Sequence, residues 1–505
     1  MLQRTKKENI IYLFIMIQPL IRIYRTFWGD NLKVFGFSLF EMINTFFIIG
    51  LWVYVFYKTK NKKMLYIFLF FIVLGIYCVL HFYNISQFNQ SIMERSIYGF
   101  VKESYNIFRV YGLPILFLFT LFFMNLRLEF VEKVICDVAV LVSGIIVFSN
   151  LTGTSLCTYI AEGHRRLIHG NIFSWFMTNG TENMKLYTSS GWFESGNEVS
   201  GLLFITLPIV IYRFFYNTTI KNIVALAMVM VSMVMLGTKT ATIGSGVLMI
   251  VMLAGYALVG IIHKNYKATK KAGISLICIG CIWGVLFYYS PYIQEKFPRV
   301  KQETENFVEQ DDIKYEVEHK VELSLETEEE SEKALEYIKD HYWDHYVMDQ
   351  YVQLYPIEGD LEFWTTIINR NPELNQNYRN FKQELLDRII ERNDNSLDKW
   401  VGIGLLHEIY CERDYVSEYY MYGFIGCILL LGVYVIMLLK YIIIFLINGK
   451  KYWDNKYISG LCALGVGLLL PYVTGHMFGV PMVMFQLVLL ILFLKLTRSS
   501  IEEEQ

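Results

Sequence analysis

Between two apolar stretches the chain reads GWFESGNEVSG over residues 191–201. Trp192, Glu194, Asn197 and Glu198 stand there at the mouth of a long oily run. Charges near hydrocarbon are costly, and where they occur they are usually functional or interfacial. Two readings are open: a polar wall of a site at the membrane surface, or a helix N-terminus whose acidic residues complement its dipole. The glycines and serine beside them would let another backbone approach closely.

Three other stretches have the same character. GTKTATIGSG (237–246) is a very short turn with Lys239 as its lone cation. A lysine beside threonines and free backbone amides suits a phosphate, and a lysine snorkelling to water is the alternative. TGHMFGVP (474–481) holds one ionisable group, His476, a residue type that donates to phosphate or moves a proton near neutral pH. GIGLLHEIYCERDYVSEYYMYGFIG (402–426) crowds Glu412, Asp414 and Glu418 around Arg413, with His407 and Glu408 just before. Clustered carboxylates can raise one pKa and make a base. An acidic, solvated loop end is the plainer reading. EGHRRLIHG (162–170) is a basic cluster, a surface patch or a ligand site around Arg166. Glu41 is read as a carboxylate facing a helix-bundle interior, and Arg379, Arg388 and Arg392 as a solvated helix face.

The elements that must position these residues are membrane spans. Hydrophobic residues make up 54% of the 505, and only 18% are charged, against about 25% in a soluble domain. A span needs about 20 mostly apolar residues. The pattern predicts spans at 10–24, 34–57, 64–82, 109–125, 134–152, 199–216, 221–237, 241–262, 272–290, 418–446, 457–474 and 480–496, the first short. The expected fold is therefore all-α and polytopic, with residues 1–290 and 418–505 in the membrane and 291–417 as a separate helical segment. The basic, then apolar start lacks a small-residue cleavage site, so an uncleaved first span is expected rather than a signal peptide. No internal repeat of 20–50 residues is visible.

Basic clusters at 4–7, 58–63, 127–133, 263–271, 448–456 and 495–498 all fall on one side of a twelve-span chain. The positive-inside rule makes that side, with both termini, cytoplasmic. Loops 153–198 and 291–417 are then extracytoplasmic. The second begins acidic (309–333), a solvated face or mobile segment. It continues as amphipathic helices over 334–355 and 377–392. The eight cysteines form neither a disulfide framework nor a zinc spacing. Cys278 and Cys281 are expected as buried packing residues within a span. The net charge of −2 and the absence of a basic tract give no sign of a nucleic-acid partner.

In this order and topology the motifs GWFESGNEVSG, GTKTA, GIG, YGFIG and TGHMFGVP resemble the O-antigen ligase and O-antigen polymerase superfamily, in the form common in Gram-positive bacteria. The resemblance covers the whole chain. It implies a GT-C-like membrane fold and a glycan donor linked to undecaprenyl diphosphate. It also implies transfer to an acceptor hydroxyl on the outer face of the cytoplasmic membrane, with neither metal nor other cofactor. By the resemblance, Lys239 and Arg379 would bind the donor diphosphate and His476 would contact donor or acceptor; Arg166, from its basic cluster, is a further cation for the diphosphate. Many ligases have His-Asn eleven residues before the glycine that here is Gly423; this chain has Glu412 and Arg413. Glu412 or Asp414 would then activate the acceptor hydroxyl. Glu194, Asn197 and Glu198 would line the pocket where sugar meets diphosphate.

The reading that follows is a polymerase of lipid-linked repeat units for capsular or other surface polysaccharide. Its expected partners are the lipid-linked glycan and membrane lipid, with a chain-length regulator and a flippase beside it. The alternative is a ligase that passes glycan to a lipid, wall or protein acceptor. A lipid-linked sugar transporter is a different class. It fits less well, because transporters hold charges near the midplane and often show repeat halves.

Overall fold

The computed structural model describes residues 5–29, 31–34, 37–93, 99–159, 167–177, 184–294, 323–342, 351–369, 378–405, 409, 411, 413–475 and 477–503. Among these residues the protein is helical apart from a two-residue antiparallel ribbon, Lys33–Val34 with Phe37–Ser38, and isolated bridges at Leu156.

All twelve predicted spans are helices. They are α1 (Lys6–Trp28), α2 (Leu39–Thr59), α3 (Tyr66–Ser86), α4 (Phe100–Phe122), α5 (Leu128–Leu151) and α6 (Gly196–Tyr216). Then follow α7 (Ile220–Leu236), α8 (Thr240–Ile262) and α9 (Tyr266–Tyr288). Eleven of the twelve are long and apolar enough to cross a membrane, and α7, at 17 residues, is a shorter apolar helix. The segment between α9 and the last spans holds α10 (Glu328–His341), α11 (Leu361–Ile368), α12 (Tyr378–Asn393) and the short α13 (Asp398–Val401). The chain ends with α14 (Asp414–Ile447), α15 (Asn455–Val473) and α16 (Pro481–Glu503).

Two expectations change. The first span is not short: α1 has 23 residues and runs on through Arg22 and Arg25, whose charges are paired by other helices. Cys278 and Cys281 are exposed rather than buried. Only 6% of the apolar window of α9 is buried, because the helix packs mainly on α8 and turns the rest of its surface outward. The acidic stretch also gains structure at its end. Thr327 and Glu330 form a capping box that starts α10, with Glu328, Glu329 and Glu330 in the first turn, where negative charge suits the helix dipole.

The chain forms two units. The first comprises Met1–Ile67, Arg109–Arg299 and Val433–Gln505, the second Phe68–Phe108 and Val300–Gly432, so the boundary falls inside α3, α4 and α14. In the first unit α6 and α16 are the most buried spans and pack on each other and on α5 and α15. Phe14, Phe117 and Phe485 meet there with ring centroids 5.2–5.6 Å apart. At the end that carries the basic loops, Arg127 closes on both oxygens of Glu8 at 2.9 and 2.6 Å.

The core of the second unit gathers Trp364 and Ile367 of α11, Phe381, Leu385 and Ile389 of α12, and Ile338 of α10. One polar network sits among them. Asp360 accepts from Arg388 (Nε 2.7 Å, Nη2 3.0 Å), from the Tyr355 hydroxyl (2.5 Å) and from the Phe363 amide (3.2 Å). Burial alone would raise the Asp360 carboxyl, but these donors outweigh it and hold the group below its usual range. Burial pushes the Tyr355 phenol up to about 12, against the pull of Arg392.

Candidate functional site

The candidate site lies in the first unit, at the end of the bundle away from the Arg127–Glu8 pair. The loop before α6 is pinned by backbone bonds: Leu156 N–H to Gly191 O (2.7 Å), Ser190 N–H to Leu156 O (3.0 Å) and Ser189 N–H to Met235 O (2.7 Å). Ser195 then caps α6. Glu198, in the first turn, is buried, and its carboxylate reaches α1: Arg22 Nε and Nη2 donate to it at 2.7 and 2.5 Å. One turn along α1, Arg25 lies 3.6 Å from Glu41 of α2, and Arg109 of α4 donates to the same carboxylate at 2.7 Å. The three arginine side chains keep 18–25% of their surface exposed.

The turn between α7 and α8 meets the same part of α6. Gly237 adopts φ +65°, and a side chain there would run into Thr188, so the tight turn needs glycine. Thr238 Oγ1 is 2.8 Å from Ser200 Oγ and accepts from the Ala241 amide at 3.1 Å. That fixes Lys239 at the start of α8, exposed, with no ion pair to a described residue. Met477 packs on Gly201, which brings the 477–480 stretch to α6 as well. Phe478, Gly479 and Pro481 line a narrow cleft together with Glu41 and Arg109.

Of the predicted site residues, the structure therefore brings Glu194 (exposed), Asn197 (half-buried), Glu198 and Lys239 to the first turns of α6 and α8. Asp414 opens α14 in the second unit and is buried. Arg166, Glu412 and His476 lie outside the described residues, as do His407 and Glu408. Arg379 belongs to α12, but its side chain is likewise outside them. Sequence reasoning missed Arg22, Arg25 and Arg109 and passed over Glu41. The signal was present as charges inside three otherwise apolar helices. Among the described residues no three His, Cys, Asp or Glu side chains gather as metal ligands.

The second unit explains the motif glycines. α14 is broken at Gly423 (φ +65°), which frees the carbonyls one turn before it. All three find donors: Ile403 N–H to Tyr420 O and Gly404 N–H to Met421 O, both 2.9 Å, and the Tyr77 hydroxyl to Tyr422 O at 2.7 Å. The GIG segment lies so close that a Cβ on Gly402 would sit 2.2 Å from Met421 O, and one on Gly423 2.4 Å from the Trp400 carbonyl carbon. Beneath it, fully buried His81 meets Val401 O through Nδ1 (2.5 Å) and Glu103 through Nε2 (3.2 Å). A carbonyl only accepts, so Nδ1 carries a proton there. Asn84 donates to Asp398 (2.8 Å) and to Gly402 O (2.9 Å).

A multi-pass helical membrane protein with cations gathered at one end of its bundle is the class this geometry defines. Residues 4–498 match the O-antigen ligase like membrane protein family, and the chain belongs to it. It is thus a membrane glycan-transfer enzyme of the ligase or polymerase type. No curated protein and no solved structure gives a significant match.

Proposed function

We propose that the protein polymerises oligosaccharide repeat units carried on undecaprenyl diphosphate, at the outer face of the cytoplasmic membrane, to build capsular or other surface polysaccharide. The observation that carries this reading is the convergence of Arg22, Arg25, Arg109 and Lys239 with Glu41 and Glu198 at one end of the first unit. A diphosphate leaving group needs fixed positive charge where its own charge develops. Lys239, exposed at a helix start, supplies a cation where the helix dipole also favours an anion. The arginines add fixed positive charge, since Glu41 and Glu198 hold them in place. That the basic loops lie at the other end of the bundle supports an extracytoplasmic site.

The acceptor hydroxyl attacks the anomeric carbon from the face opposite the phosphate oxygen. The carbon–oxygen bond to phosphate breaks, the lipid diphosphate leaves with the bonding pair, and the configuration inverts. A carboxylate, Glu412 or Asp414, takes the hydroxyl proton. Arg379 and Arg166 serve the diphosphate and His476 the donor or acceptor, while Glu194 and Asn197 contact the sugar. The family description favours one second reading, a ligase passing the glycan to a lipid, wall or protein acceptor.

The test is turnover by the purified chain, with a lipid-diphosphate repeat unit as sole substrate. A ladder of longer glycans that persists in excess EDTA is expected. A strict need for a divalent ion would sink the fixed-cation mechanism, and transfer only after a foreign acceptor is added would make the protein a ligase.

A further inference from the structure

The second unit carries an open groove of about 980 Å³, within the ~300–1,000 Å³ of small-molecule sites, that the diphosphate chemistry does not use. It is lined by α12 and the turn that leads into α13, together with Phe363 of α11 and Tyr419 of α14. Trp400 stands at the rim with 53% of its surface exposed. The lining also holds polar groups, among them Asp387, Asp394, Ser396 and Lys399.

Two features make this a built surface. Arg388, on the groove wall, is already held by Asp360 (2.7 Å), Glu362 (2.8 Å) and Glu391 (3.1 Å), so its position is fixed and its charge is compensated. Asp387 is oriented by the Tyr420 hydroxyl at 2.5 Å, which occupies one of its roughly four acceptor sites. The rest are left for donors.

Flat rings beside oriented carboxylates suit a pyranose. The C–H face of a sugar is slightly positive and settles on the negative face of an aromatic ring. Its hydroxyls donate to carboxylates. The charge balance narrows the ligand further: Glu384, Asp387, Glu391 and Asp394 stand against Arg388 and Lys399, four carboxylates to two cations. Uronates and phosphates are repelled by that surplus.

We infer that this groove is a second glycan-binding site, holding uncharged pyranose residues of a substrate chain on Trp400. The inference rests on the glycan-transfer reading above and adds to it a sugar site on the second unit.

The experiment is ligand-observed NMR titration of the full-length chain in nanodiscs. The probe is the repeat oligosaccharide released from the producing cells' surface polysaccharide and freed of lipid and phosphate. Wild type is expected to bind it. Trp400→Ala should weaken binding about 10-fold, Trp400→Phe should restore most of it, and Lys239→Ala should leave it unchanged. Tetragalacturonate should not compete.

No binding to wild type overturns the inference. So does equal binding by Trp400→Ala, which would leave Trp400 as an interfacial anchor. Loss of binding in Trp400→Phe with an unchanged thermal midpoint excludes stacking. Loss in Lys239→Ala alone moves the sugar to the first unit, and competition by tetragalacturonate removes the charge argument. Failure of the transfer reading is seen separately, as unchanged surface glycan in cells carrying Lys239→Ala.

Discussion

Arg22 and Glu198 are 176 positions apart, yet the guanidinium of one closes on both oxygens of the other, at 2.7 and 2.5 Å. The pair joins the end of α1 to the first turn of α6. Breaking a buried pair by removing one partner typically costs about 3–5 kcal/mol, since the other charge is left uncompensated. Arg22→Ala should therefore lower the thermal midpoint in detergent markedly. The double variant Arg22→Ala/Glu198→Ala should be less destabilised than the two single effects summed. Strictly additive effects would mean that the two side chains are not coupled.

The glycine at the α14 break should tolerate no side chain. Gly423→Ala places a Cβ 2.4 Å from backbone atoms of Trp400 and Val401, at a φ that alanine rarely adopts. A loss of about 3 kcal/mol or more is expected, with the second unit opened to protease. Gly432→Ala, on the same helix with its nearest neighbour at 3.8 Å, is the control and should behave as wild type.

Asp360 makes the second unit acid-sensitive. Its folded pKa lies below its unfolded value, so its contribution is present above about pH 4 and is lost as pH falls through the folded pKa. Protease resistance of the unit should fall as the pH drops below about 4. Asp360→Asn should be weaker at pH 7 and change less over that drop. An equal acid response in the variant would assign the sensitivity to other carboxylates.

The twelve helices were legible because hydropathy is written locally, run by run. The cations that build the site were not. Arg22 and Arg25 lie on α1 and Arg109 on α4, and their carboxylate partners are on other helices, up to 176 positions away in sequence. Pairing of that kind is a tertiary fact with no local spacing. Lys239 was legible because its turn isolates it. GIG and YGFIG were legible as motifs but not as to purpose: they fit a broken helix to the segment that satisfies its freed carbonyls. His81 and Glu103, buried under that segment on two different helices, went unread for the same reason.

The central claim is that fixed cations, Lys239 among them, hold the diphosphate of a lipid-linked glycan. Its most direct measure is the length of surface polysaccharide in the producing cells, wild type against Lys239→Ala at equal protein level. Lys239 is exposed and makes no ion pair with a described residue, so the variant should fold as wild type while transfer falls about 100-fold or more. The account predicts long chains collapsing to single repeat units. Polysaccharide of normal length and attachment would contradict it.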